Sequence, residues 1–115
     1  MYAITGFEAT GKDKLFTFGP GAIYNITDFS SGTQADGGAS LRQAVWISNC
    51  SGDGSNIYLA VQTASIAANP HLTFTNCLPK IGDGDDRILH VRKGCNVFAI
   101  TDSATNANVR VVEVA

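Results

Sequence analysis

The chain has 115 residues, enough for one domain and for a core that needs no staples. Hydrophobic residues make up 44% and charged residues only 16%, below the roughly 25% of ordinary globular chains, and Glu8 and Glu113 are the only glutamates. Such a composition does not supply the solvated faces of a helical protein, and a net charge of −2 with a pI near 5.5 argues against a general nucleic-acid binder.

No sustained helical period runs along the chain; short extended segments alternate with Gly, Ser, Thr, Asn and Asp. Residues 2–8 are a candidate first strand, broken at Thr10-Gly11-Lys12-Asp13. Residues 14–18 follow with Leu15, Phe16 and Phe18, and Gly19-Pro20-Gly21 is a strong turn signal before an extended stretch at 22–27. From 28 to 40 the composition shifts to Ser, Gly, Thr and Asp, which predicts a long flexible surface loop rather than a domain boundary. Residues 41–48 and 55–62, separated by the turn-rich 49–54, are expected as a β-hairpin. A helical turn is expected at 63–71, a strand at 72–77 and a loop at 79–86. The last stretch predicts three strands, 87–91, 95–100 and 109–114, joined by a turn at 92–94 and the polar residues 101–108. The expected fold is therefore a single all-β domain over 1–115, an antiparallel β-sandwich or jelly-roll-like barrel of about eight or nine short strands.

Several strands are apolar on both faces. In 95–100, Cys95, Val97 and Ala99 oppose Phe98 and Ile100, and in 109–114, Val109 and Val111 oppose Val112 and Val114. A free-standing antiparallel sandwich shows apolar-in, polar-out alternation. Doubly apolar strands need a second cover, either a loop of the same chain or another subunit. Val109, Val111, Val112 and Val114 are accordingly candidate interface residues, with one pair serving the subunit's own core.

Catalytic and metal signals are weak. There is no Gly-x-Ser-x-Gly, and His71 and His90 are the only histidines. Cys95 follows Arg92-Lys93-Gly94, a setting that can lower a thiol pKa, although a strand cysteine is more simply a small buried hydrophobe. No Cys-x-x-Cys or His-x-x-x-His pair offers a zinc site. The runs Gly82-Asp83-Gly84-Asp85-Asp86 and Gly52-Asp53-Gly54-Ser55-Asn56 carry calcium-type oxygen ligands, but turn chemistry explains both. No cofactor is expected. The three cysteines Cys50, Cys77 and Cys95 are a poor disulfide framework and fit a reducing compartment. No charged-then-apolar leader opens the sequence, and no apolar run approaches the ~20 residues that cross a bilayer. Synthesis in a cytoplasm is the expectation, with Asn25-Ile26-Thr27 and Asn49-Cys50-Ser51 as accidental glycosylation sequons. Trp46 and Tyr58, on facing arms of the expected hairpin, form a candidate binding face that would suit a glycan, although core or interface is the simpler place for a lone Trp.

The stretch from Asp86 through Arg87-Ile88-Leu89-His90-Val91 and Cys95-Asn96-Val97-Phe98-Ala99-Ile100, closing on Val109-Arg110-Val111-Val112-Glu113-Val114, resembles small all-β virion proteins of tailed bacteriophages, nearest to the head decoration, or cement, proteins. The resemblance covers the last 30 or so residues together with the size, low charge and Gly/Thr/Asn richness of the chain. It implies a non-enzymatic structural protein of the virion that stabilises a capsid, bound to the major capsid protein and to copies of itself, commonly as a trimer. No functional residue is carried over from it. A carbohydrate-binding module and a tail or neck component remain the alternatives, with no role for nucleic acid or membrane.

Overall fold

A computed structural model of the chain describes residues 9–27, 43–63, 72, 74, 77–91 and 95–114. Among them are seven strands: β1 (Ala9–Phe18), β2 (Tyr24–Asn25), β3 (Ala44–Asn49), β4 (Ile57–Thr63), β5 (Asp86–Leu89), β6 (Cys95–Thr101) and β7 (Ala107–Val114). The strand expected at 2–8, the loop at 28–40, the helical turn after Thr63 and His71 lie outside the described residues.

Two antiparallel sheets form, sheet A in the order β1-β7-β3-β5 and sheet B in the order β2-β6-β4. Consecutive strands never share a sheet, and the pairs β1·β7, β2·β6 and β3·β5 are nested one inside the next. The chain is in effect one long hairpin rolled up on itself, which is the winding of a jelly roll. The expected all-β sandwich is what forms.

The core follows from strand alternation. Phe16, Val45, Ile47, Val109 and Val111 of sheet A meet Ile57, Leu59, Val97 and Ala99 of sheet B in one buried cluster. Each Val, Ile, Leu or Phe among them contributes about 1.5–3 kcal/mol by leaving water. The opposite face of sheet B carries a second cluster, in which Phe98 and Ile100 are covered by Leu72 with Tyr58, Ala60 and Cys77 packed around them. The two faces read from the sequence of 95–100 are these two clusters.

Three expectations are corrected. The 49–54 turn does not close a hairpin, because β3 and β4 belong to different sheets. Residues 50–56 are long enough to cross the roughly 10 Å between packed sheets, and the crossing sets Val45 and Ile47 face to face with Ile57 and Leu59. The three C-terminal strands likewise alternate between sheets instead of forming a meander. The break expected at residues 10–13 is absorbed within β1. There β1 advances four positions, from Ala9 to Asp13, while β7 advances two, from Val114 to Val112, so the strand bulges and continues.

Turn chemistry elsewhere acts as expected. Gly21 has φ of 77°, a region where only glycine is unstrained, and with Pro20 before it the chain leaves β1 for the other sheet. Tyr24 fixes that crossing by stacking on Phe18 with ring centroids 5.6 Å apart and meeting Phe16 edge-on at 5.7 Å.

Candidate functional site

The outward face of sheet A is built by the residues that alternate with the core. Val45, Ile47, Val109, Val111 and Phe16 point inward, so Trp46, Val112 and Leu15 point out, as does Ile88 next to the inward Leu89. Register aligns them in rows across the strands. One row runs Asp13, Val112, Trp46, Ile88, and the next runs Leu15, Arg110, Ser48, Asp86. Val112, Trp46 and Ile88 are half-buried, and Leu15 is 50% exposed. One row further along the same side, Ala44 and Val114 are 0% and 1% exposed, so the face is closed at that end. Arg110 pairs with Asp13 at 3.3 Å, and Thr17 donates to Asn108 at 2.8 Å. The face thus has an apolar centre and a polar fringe, the anatomy of a protein contact.

Trp46 is oriented by a hydrogen bond from its indole N–H to Asp86 Oδ2 at 2.8 Å. Beside it opens a shallow groove of about 510 Å3, bounded by Ser48, Asn49 and Cys50 on one side and by Asp83, Asp85 and Asp86 on the other.

The end of the sandwich next to this groove is held by carboxylates that cap loops. Asp83 accepts the Gly52 N–H at 2.9 Å and the Gly54 N–H at 2.7 Å, tying 82–86 to 50–56. Asp53 accepts the Ser103 hydroxyl at 2.6 Å and the Ser55 N–H at 3.0 Å. Asp102 accepts the Asn56 N–H at 2.7 Å, its side-chain amide at 2.9 Å and the Tyr58 hydroxyl at 3.2 Å. These donors favour the charged forms. The Ser103 hydroxyl, then Ser55, holds Asp53 at about 2. The Gly52 and Gly54 amides lower Asp83. Burial works against ionisation of Asp102, yet the donors from Asn56 and Tyr58 outweigh it and leave its pKa lowered. Burial and then Asp102 push the Tyr58 hydroxyl up. Asn49 completes the joint. Its buried amide donates to Ser55 O and Ile81 O, each at 3.0 Å, and its oxygen accepts the Ser51 N–H at 3.1 Å.

Known protein families, curated proteins and solved structures give no match to this chain.

The structure separates the six candidate residues. Val109 and Val111 are in the core, Val114 is also buried, and Val112, Trp46 and Tyr58 are half-buried. Trp46 and Tyr58 do not share a face. Trp46 lies outside sheet A, whereas Tyr58 packs on the outer cluster of sheet B with its ring centroid 4.9 Å from that of Phe74. The expected shared face assumed a hairpin, and the crossing at 50–56 puts the two rings on opposite sides of the sandwich. Cys50 is exposed, Cys77 and Cys95 are half-buried, and none of the three forms a disulfide. Cys95 packs against the core, and His90 is exposed just past β5. Asn49 is 1% exposed, so its sequon is inaccessible in the folded chain.

The sequence reading missed Ile88, Arg110 and Asp86 as members of the outer face. Alternation around Trp46 flags none of them, since they come from strands 40 or more residues away. Asp86 stood out only as one carboxylate in an acidic loop.

Proposed function

We propose that this chain is a non-enzymatic structural protein of a virus particle, a head decoration module of a tailed bacteriophage that binds copies of itself and the major capsid protein. The observation that carries the reading is the outer face of sheet A, where Val112, Trp46 and Ile88 form an apolar row across three strands that the described chain leaves half-exposed. The opposite outer face is closed by the chain itself. Shifted carboxylates add support, because Asp53, Asp83 and Asp102 are committed to holding loops. A jelly roll hosts capsid proteins and lectins alike, so the fold alone does not choose between them.

A major capsid gene in the same genome is the first requirement, and co-sedimentation with shells of its product, followed by heating of the decorated shells, is the test. Saturable binding and a raised disruption temperature are expected. Shells that sediment without the protein at any ratio would end the decoration reading.

The groove beside Trp46 favours a second reading, a glycan-binding module, since a fixed indole face with carboxylate acceptors nearby suits a sugar ring. Quenching or enhancement of the Trp46 fluorescence by soluble oligosaccharides tests it; a flat response across neutral and amino sugars counts against it.

A further inference from the structure

We infer that Asp53-Gly54 and Asp83-Gly84 are a coupled pair of modification sites, where aspartate converts spontaneously to isoaspartate, and that hydrogen bonds between segments 49–56 and 82–86 hold both dormant.

Asp-Gly occurs at 36–37, 53–54 and 83–84, and the last two lie within the described residues. Turn geometry forces this dipeptide from both sides. Gly54 and Gly84 have φ of 81° and 83°, where any side chain is strained. Asp53 and Asp83 supply the carboxylates that cap the crossing between the sheets. Asp-Gly is also the dipeptide most open to cyclisation, because glycine has no Cβ to hinder its nitrogen. In that reaction the Gly54 nitrogen attacks Cγ of Asp53. An N–Cγ bond forms, and one carboxyl oxygen leaves as water with the amide proton and the carboxyl proton. One water then reopens the succinimide ring. Opening at Cγ returns aspartate, whereas opening at the main-chain carbonyl carbon gives isoaspartate, with the chain now running through the side chain. The same steps join the Gly84 nitrogen to Cγ of Asp83. Composition is unchanged overall, and no oxidant or reductant takes part.

Burial does not protect these sites. Asp53, Gly54 and Gly84 are exposed and Asp83 is half-buried, so water reaches both dipeptides. Hydrogen bonds protect them instead. The Gly54 N–H donates to Asp83 Oδ2 at 2.7 Å, so the nitrogen that would attack Asp53 is held from the other segment. The Gly84 N–H donates to Asn49 O at 2.9 Å, so the nitrogen that would attack Asp83 is held in return. Each carboxyl is restrained as well. Asp53 accepts the Ser103 hydroxyl at 2.6 Å and the Ser55 N–H at 3.0 Å, and these donors keep it ionised, with no hydroxyl to lose as water. The Gly52 and Gly54 amides do the same for Asp83.

Coupling follows from the shared hydrogen bonds. Conversion at 83 displaces the carboxylate that accepts the Gly52 and Gly54 amides, which frees the nitrogen facing Asp53. Conversion at 53 lengthens the chain between those two amides and spoils their fit to Asp83. The first lesion therefore promotes the second. Both untie the end of the sandwich beside the groove that Gly52, Asp83 and Gly84 line.

Ageing of the intact chain at mildly acidic pH tests this, with electron-transfer fragmentation to distinguish isoaspartate from aspartate. Cleavage after arginine yields one fragment, 43–87, that carries both sites, so double conversion is read on single molecules. Folded wild type should convert at 53 and 83 at least about tenfold more slowly than the same chain in urea, because a held N–H must first be released. Doubly converted fragments should exceed the product of the two single frequencies. Asp83→Ala has no carboxyl to convert at 83, and where circular dichroism shows it folded, conversion at 53 should rise at least about tenfold. Equal rates in the folded and urea-unfolded wild type overturn the inference. Double conversion at the frequency of independent events, or a folded Asp83→Ala that converts at 53 no faster than wild type, overturns the coupling.

Discussion

The two outer faces of the sandwich start from similar strand chemistry and end differently. On sheet B, Phe98 and Ile100 are 5% and 7% exposed because Leu72 packs over them with Tyr58, Ala60 and Cys77. On sheet A, Val112, Trp46 and Ile88 stay half-exposed with a polar fringe of Arg110, Asp13 and Asp86. A strand that is apolar on both sides therefore does not by itself announce a partner. What packs over such a strand, and not its alternation, decides whether its second face meets its own chain.

The comparison can be broken most directly within β7. Val111→Asp places a carboxylate in the core with no cation built to meet it, and a loss of about 3–5 kcal/mol, enough to unfold many domains of this size, is expected in urea denaturation. Phe98→Ala comes next. If the second cluster is as closed as its burial indicates, the cost is about 3 kcal/mol, whereas a truly surface phenylalanine would cost a fraction of that. Asn49→Ala removes the donor shared by Ser55 O and Ile81 O and should cost about 2 kcal/mol by the same measurement.

Acid addresses the end of the sandwich rather than either face. Asp53, Asp83 and Asp102 have folded-state pKa values below the ordinary carboxylate value, so below that value the unfolded chain binds more protons than the folded one. Their stabilisation is complete above the unfolded value of about 4. It is lost as pH falls toward the Asp53 value of about 2. The urea midpoint should fall across that window, and Asp53→Asn should flatten its lower part. A midpoint that is level down to the lowest pH reached would remove the carboxylates from the account of that end.

Smallest of all is the effect of Val112→Asp on the isolated fold, about 1 kcal/mol, since the side chain is only half-buried but lies opposite Asp13. The contrast with Val111→Asp, one residue away, sharpens the distinction between faces: the first variant should fold and fail to associate, the second should fail to fold.

Much of the local structure was legible in the sequence. Alternation in Cys95–Thr101 divided Val97 and Ala99 from Phe98 and Ile100 correctly, and Val109 with Val111 separated from Val112 on the same ground. What alternation does not carry is which strand lies beside which. The residues of 49–54 have every chemical mark of a tight reversal, yet a seven-residue connection at 50–56 serves equally well to step between sheets, and only the packing of Val45 and Ile47 on Ile57 and Leu59 decides it. The same gap hid the candidate site. Trp46 was visible as a lone indole, but its meaning depends on Val112, Ile88, Arg110 and Asp86, which the nested pairing brings from the far half of the chain.

That nesting also orders events during synthesis. Strand β7 lies between β1 and β3, and among the described residues β1 has no other partner in its sheet. Until Ala107–Val114 has left the ribosome, β1 lacks its one described partner, and Phe16 and Phe18 wait for the core that β7 completes. Contacts this distant in sequence make folding slow. They also mean that a nascent chain arrested before residue 107 cannot complete sheet A, so the row that carries Val112, Trp46 and Ile88 comes into being only on molecules whose translation has passed that point.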